Sequence, residues 1–452
     1  MTGNSSQNFD MILRGGVVVN HDGEGVRDVG VRDGKIAAIG ALSGDGGEVI
    51  DCTGLTVLPG VIDSQVHFRE PGPTHKEDLH TGSRAAVLGG VTAVFEMPNT
   101  SPLTVTTEAI EDKLARAAGE KDHSGMYCDH AFFVGATHHN PQALAELERL
   151  PGISGVKIFM GASTGDLLVE DDDGVREVLK HGSRRVAIHS EDEYLLREGK
   201  ARVRAGDWTS HSDVRSAEAA VTCTKRLLRL ARETGRRIHV LHISTEEEVP
   251  LLAAAKDIAT CEILPNHLTL AAPECYERLK GFAQQNPPVR EARHRAGLWK
   301  GVAQGVFDVM GTDHAPHTIE EKNQPYPASP SGMPGVQTLV PLMLNHVAEG
   351  RLSLARFVDL VCHGPQRVFG IAGKGRLAAG YDADFTIVDL NRTETIRNED
   401  QATKSGWTPY DGETVKGWPI GTIIRGRRIM WDGEVIGAPQ GAPVLFQESL
   451  KP

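Results

Sequence analysis

Histidines, an aspartate and a lysine recur near the ends of short apolar runs in this chain. The first run, 61–68, contains Gln65, Val66 and His67 and is followed by Arg69. Alternation along a strand puts Gln65, His67 and Arg69 on one face. Lys157 lies inside the apolar run 155–161, His189 near the end of 185–190, and His239 and His242 in 237–244. Asp313 closes 307–313 and is followed by His314 and His317. One histidine on an apolar face reads as a core residue. Several at successive run ends, with a carboxylate, form the ligand set of zinc and similar divalent ions. A buried lysine must pair, neutralise or be modified, because an isolated ammonium costs several kcal/mol to bury. The expected chemistry is hydrolysis of an amide, ester or ring C–N bond, through a metal-bound water whose pKa falls to about 7 and a carboxylate that shuttles protons. The chain has no GxSxG elbow, no Walker loop and no GxGxxG after a strand, so those chemistries have no support.

Eight apolar runs share this texture: 61–68, 92–98, 130–136, 155–161, 185–190, 237–244, 261–267 and 307–313. Helix-like segments such as 75–90, 141–150 and 216–235 lie between several of them. Strands alternating with helices imply right-handed crossovers and a parallel sheet. Eight such strands over roughly 250 residues predict a closed (β/α)8 TIM barrel, with the reactive residues at its C-terminal mouth. The ends differ. Residues 1–59 and 366–452 alternate Val and Ile between Gly and Asp-Gly turns, a hairpin signature. They are expected to form one small β-sandwich domain built from both termini, around a barrel over 60–365.

Composition narrows the function classes. The chain has 452 residues, 40% hydrophobic and 24% charged, which excludes wholesale disorder. With 48 basic and 60 acidic residues its net charge is -12, which argues against a nucleic-acid face or a polybasic membrane surface. No apolar run approaches the ~20 residues of a spanning helix, and the first residues lack a signal-peptide pattern. The six cysteines contain no CxxC pair and read as buried free thiols in a reducing cytoplasm.

These residues resemble the amidohydrolase superfamily, and within it the cyclic-amidase branch of dihydroorotase, allantoinase and hydantoinase. The likeness runs through LPGVIDSQVHFREPG, GVKIFMG, IHVLHIST, NPPVR, GTDHAPH and GYDADFTIVDL. It implies that His67 and Asp313 hold one zinc ion and His189 and His242 another, with Lys157 carboxylated as the bridge. The carboxylation answers how a buried lysine is tolerated, since it becomes an anionic carbamate, and Asp313 would double as the general base. His239, three residues before His242, would face away as a hydrogen-bonded core histidine.

The subtype rests on substrate positions. By the resemblance, dihydroorotases use an arginine two after the second metal histidine, an asparagine in an MPNT strand end and the last histidine of DHAPH; here these are Arg69, Asn99 and His317. An anionic ring suits an arginine fork. Asn286, Ser331 and Gly332 match positions that contact the pyrimidine ring. Two departures stand out. Gln65 replaces the first metal histidine, and a neutral amide is a poorer zinc ligand than imidazole, so weakened occupancy or a single ion is expected. Pro265-Asn266-His267-Leu268 and Ser331-Gly332 also depart from the family pattern. The leading reading is a dihydroorotase of pyrimidine biosynthesis, interconverting carbamoyl-aspartate and dihydroorotate. The alternatives are a hydantoinase- or allantoinase-like hydrolase, or a non-catalytic homologue serving as a structural partner of aspartate transcarbamoylase. By analogy a homo-oligomer, dimer or tetramer, is expected.

Overall fold

The structure, a computed structural model, describes residues 8–43, 46–161 and 167–450. Five strands open the chain: β1 (Phe9–Asn20), β2 (Gly23–Arg32), β3 (Lys35–Gly40), β4 (Gly46–Asp51) and β5 (Thr56–Pro59). Eight more follow: β6 (Val61–Val66), β7 (Val91–Glu96), β8 (Asp129–Gly135), β9 (Ile153–Phe159), β10 (Val186–His189), β11 (Ile238–Val240), β12 (Ala259–Ile263) and β13 (Val309–Met310). The last four are β14 (Phe385–Thr395), β15 (Thr414–Ile424), β16 (Arg427–Trp431) and β17 (Glu434–Val435).

Strands β6 to β13 pair in sequence order, all parallel, so each of the eight apolar runs contributes one strand of the barrel. The barrel is closed between its first and last strands by a parallel bridge from Val66 to His314, and the His67 amide donates to the His314 carbonyl at 2.7 Å. Ile62, Ala93, Phe95, Ala131, Phe133, Ala187, Leu241 and Val309 fill its interior with Phe369. A larger apolar cluster joins the outer strand faces to the surrounding helices. The helix Ala217–Thr234 shows how local sequence sets those helices. Ser216 caps it by accepting from the Ala219 amide, and Gly235, at φ 69°, ends it. The segment 141–150 departs from expectation, giving a 3-10 turn and the single-turn helix Leu144–Leu147.

The two chain ends share one nine-stranded mixed sheet, joined where β5 runs antiparallel to β14, with Val57 opposite Ile387. Its own core includes Met11, Leu13, Val29, Ile36, Phe385 and Ile423. Four hairpins of this sheet turn on two residues, and in three of them, Asp33-Gly34, Arg425-Gly426 and Asp432-Gly433, both residues have positive φ. That is the turn whose twist matches paired strands, and glycine takes its second position without steric cost. All six cysteines are buried and free. No helix among the described residues is long and apolar enough to cross a membrane.

A buried ion cluster ties sheet to barrel. Lys374 Nζ lies 2.6 Å from Asp129 of β8, 2.6 Å from Asp384 and 2.9 Å from Asp382, and Arg425 also pairs with Asp129. Taking Lys374 away leaves three carboxylates crowded together. Lys374→Met is therefore expected to destabilise the chain by about 3–5 kcal/mol, read from the urea midpoint. An unchanged midpoint would refute this role.

Candidate active site

The C-terminal ends of the barrel strands converge on a cavity of about 250 Å3. It is lined by every residue the sequence singled out for chemistry: His67, Arg69, Asn99, Lys157, His189, His242, Asn286, Asp313, His317, Ser331 and Gly332. Gln65 and Phe159 complete its wall. Three of these residues have left-handed backbone without being glycine: Arg69 at φ 64°, His242 at φ 38° and Asp313 at φ 50°. Such conformations cost roughly 1–3 kcal/mol each and cluster at functional sites. Here they have a visible purpose. Strands β6, β11 and β13 stop at Val66, Val240 and Met310, and the turned backbone then presents each side chain to the cavity.

Lys157 lies on β9, beside Ala187 of β10, and is 1% exposed. Its ammonium sits 4.5 Å over the Phe159 ring and has no hydrogen-bond partner among the described residues. Burial lowers its pKa to about 7, with Asp313 and Glu262 opposing only in part. Around it stand two pairs of side chains. His67 Nε2 is 3.0 Å from Asp313 Oδ1 and its Nδ1 is 2.7 Å from Asn99 Oδ1. His189 Nδ1 faces His242 Nε2 at 3.0 Å. Burial, reinforced by the Lys157 charge, holds His67, His189 and His242 below the ordinary imidazole range, so they stand neutral. Gln65 donates from Nε2 to the same Asp313 oxygen at 3.0 Å, while its own Oε1 is buried without a partner.

Behind these groups is a second layer that sequence reasoning missed. Glu191 accepts from His189 Nε2 at 2.8 Å and is clasped by Arg215. Burial alone would raise the Glu191 carboxyl, but Arg215 and His189 pull it well below the usual range. An ionised Glu191 fixes which His189 nitrogen carries the proton, leaving Nδ1 as the lone pair toward the cavity. Glu262 of β12 accepts from the His242 amide at 3.2 Å, and burial raises its carboxyl well above normal. Gly311 makes room for it, since a Cβ there would lie 2.5 Å from Glu262 Oε2. The only sequence signal for Glu191 was an acidic residue two positions after a strand-end histidine.

The rim carries positive charge. Arg69 donates to the Pro316 carbonyl at 3.2 Å, with Nη2 3.4 Å from His317 Nε2. Lys76 Nζ is 3.0 Å from His317 Nδ1 and pairs with Glu321 at 3.0 Å. Burial and the cations Arg69, Lys322 and Lys76 push His317 far below its normal range, so it too is neutral. Lys322 is buried and donates to the carbonyls of Gln284, Pro330 and Gly332 at 3.1, 2.7 and 2.8 Å, which holds the Pro330–Gly332 loop against the cavity. Asn286 Oδ1 meets His211 Nε2 at 3.0 Å.

His239 is a buried core histidine, as its position suggested, bonded to Thr260 at 2.9 Å and edge-on to Phe369. The reason differs from simple alternation: His239 is still in strand, whereas His242 lies beyond the strand's end on turned backbone. Outside the cavity, among the described residues, two groups bring His and carboxylate ligand atoms within 4.8 Å of one another, His138 with Glu170 and Asp171, and Glu246 with Glu247 and His294. Each includes residues that are exposed or half-buried, without an orphaned buried polar atom.

Residues 56–429 match the amidohydrolase family. The chain is 37% identical over 425 residues to a dihydroorotase of Halobacterium salinarum, covering 93% of this chain and 96% of that protein. It is 34% identical over 454 residues to an allantoinase of Escherichia coli, covering 96% and 97%. Among solved structures it resembles the L-hydantoinase (dihydropyrimidinase) from Arthrobacter aurescens, with a TM-score of 0.89, 29% identity, and 95% and 98% of the two chains covered.

Proposed function

We propose that this chain, which belongs to the amidohydrolase family and is a hydrolase of cyclic amides, acts as a dihydroorotase, interconverting carbamoyl-aspartate and dihydroorotate. The observation that carries this reading is the cationic rim, Arg69 beside His317 and Lys76, above an amide-cleaving residue set. A ring that bears a carboxylate needs a guanidinium to receive it, and a neutral ring does not.

The family is generally metal-dependent, and the cavity suits divalent ions. Lys157 Nζ and Gln65 Oε1 are buried there without partners, and the imidazoles around them are neutral. His67 and Asp313 would hold one zinc ion and His189 and His242 a second. Lys157, carboxylated, would bridge the two. With its pKa near 7, about half of the amine is in the nucleophilic form near neutral pH. That is the form that adds to carbon dioxide, releasing a proton and leaving an anionic carbamate. When bound, the metal supplies Lewis-acid activation of water and of the scissile carbonyl.

The remaining steps belong to the chain's own residues. Asp313 accepts the proton of the attacking water and returns it to the ring nitrogen as that leaves. His67 and Gln65, both on its Oδ1, hold the carboxylate in place. Arg69, with Asn99 and His317, receives the substrate carboxylate. Asn286 and the backbone at Ser331 and Gly332 orient the ring. The likeness to an allantoinase supports a second reading, a hydrolase of another cyclic ureide, in which Arg69 has no anionic group to meet.

Two experiments bear on this. Arg69→Ala should lower kcat/KM for dihydroorotate about 10–100-fold, the value of a charge-assisted hydrogen bond, while changing the rate on uncharged hydantoin little. Equal losses on both rings would refute the assignment. Gln65 presents a spent amide N–H to Asp313 and only a weak oxygen donor to a metal, so the purified chain is expected to retain about one ion after dialysis. Gln65→His should raise this toward two. Two tightly held ions in the unaltered chain would contradict this account of Gln65.

A further inference from the structure

At the opposite end of the barrel lies a second cavity, of about 220 Å3. Arg184, Arg185, Arg237 and Arg367 line it together with Phe369 and Phe446, and Glu448 is its one carboxylate among the described residues. In a chain of net charge -12 this is a local reversal of sign. Two of the arginines are engaged: Arg184 donates to Ser449 Oγ at 2.6 Å and lies 4.8 Å over the Phe446 ring, and Arg367 pairs with Asp359 at 2.8 Å. The other two are less satisfied. Arg185 is half-buried and donates to the Ile238 carbonyl at 3.2 Å. Neither Arg185 nor Arg237 has a carboxylate within 4.0 Å among the described residues. Burial, and then the Arg237 charge, depress the Arg185 guanidinium. Like charges gathered this way cost free energy, and the Arg184–Glu448 pair at 3.6 Å, the Arg367–Asp359 pair and the more distant Asp308 offset only part of it.

We propose that this cavity binds a phosphate or diphosphate group. Planar guanidinium forks match phosphate oxygens two at a time. The volume lies below the ~300–1,000 Å3 of sites that enclose drug-sized ligands, so it suits the anionic group and leaves any attached body outside. Arg185 immediately precedes β10 and Arg237 immediately precedes β11. The bound group thus sits at the roots of the strands that lead to His189 and His242, away from the catalytic cavity, and does not compete with substrate.

The test is calorimetric titration of the full chain with inorganic pyrophosphate, and separately with ADP. Saturable binding of about one anion per chain is expected. Tighter binding of ADP identifies an esterified diphosphate as the ligand, and tighter binding of pyrophosphate identifies the free ion. Arg237 is exposed, so R237A keeps the fold; it should weaken binding at least about tenfold, as should R185A, with the Tm of each ligand-free variant measured alongside. R293A, an exposed arginine elsewhere, and R69A in the catalytic cavity should bind as the unaltered chain does. Absence of saturable binding would overturn the proposal. So would an equal loss in R293A, or a loss in R69A with R237A unaffected.

Discussion

An ammonium group buried without a hydrogen-bond partner is the constraint around which this molecule is arranged. Lys157 sits in the middle of a parallel barrel, 1% exposed, over an aromatic ring and among imidazoles. A lone buried cation is expensive, and the structure offsets only part of that cost with the nearby Asp313 and Glu262 carboxylates. Burial also holds His67, His189 and His242 below the ordinary imidazole range, so they stand neutral. A neutral imidazole offers a lone pair, and an amine with pKa near 7 offers another. The cavity is therefore a set of donors facing inward, which is what the proposed metal-assisted amide hydrolysis requires.

The barrel makes such a gathering possible. Parallel strands bring residues far apart in sequence to one rim, over an interior packed with Phe95, Phe133 and Phe369, and left-handed backbone at Arg69, His242 and Asp313 turns those side chains into the cavity. The second layer then limits motion. Glu191 with Arg215 orients His189, Glu262 anchors the His242 backbone, and Lys322 pins the loop that carries Ser331 and Gly332. These groups touch the reacting atoms only through others, yet they decide where those atoms are.

Much of this was legible in the sequence, for physical reasons. The eight apolar runs marked the eight strands because fully buried parallel strands are continuously apolar. The residue types at their ends marked the cavity because polar side chains survive there only with partners. Asp-Gly pairs marked two of the hairpins in the terminal sheet. Less was legible where geometry comes from the third dimension. The pairing of Glu191 with Arg215 joins a strand end to a separate segment, and no spacing announces it. Lys76 and Lys322 reach the rim from loops on long side chains. His242 reaches the cavity through a backbone turn that alternation does not foresee, and the segment 141–150 forms a 3-10 turn and one helical turn rather than the longer helix its composition suggested.

Charge has a different meaning locally than globally. A net charge of -12 excludes broad polyanion binding, yet Arg69 and Lys76 bring positive charge to one cavity rim, and four arginines do the same at the barrel's other end. In the proposed function the rim around Arg69 selects a ring bearing a carboxylate. The most direct test compares kcat/KM of one metal-loaded sample on L-dihydroorotate, hydantoin and allantoin. A preference for dihydroorotate of about 10–100-fold is expected, the scale set by one well-formed charge-assisted interaction. A sample that turns over hydantoin or allantoin more efficiently than dihydroorotate would contradict it.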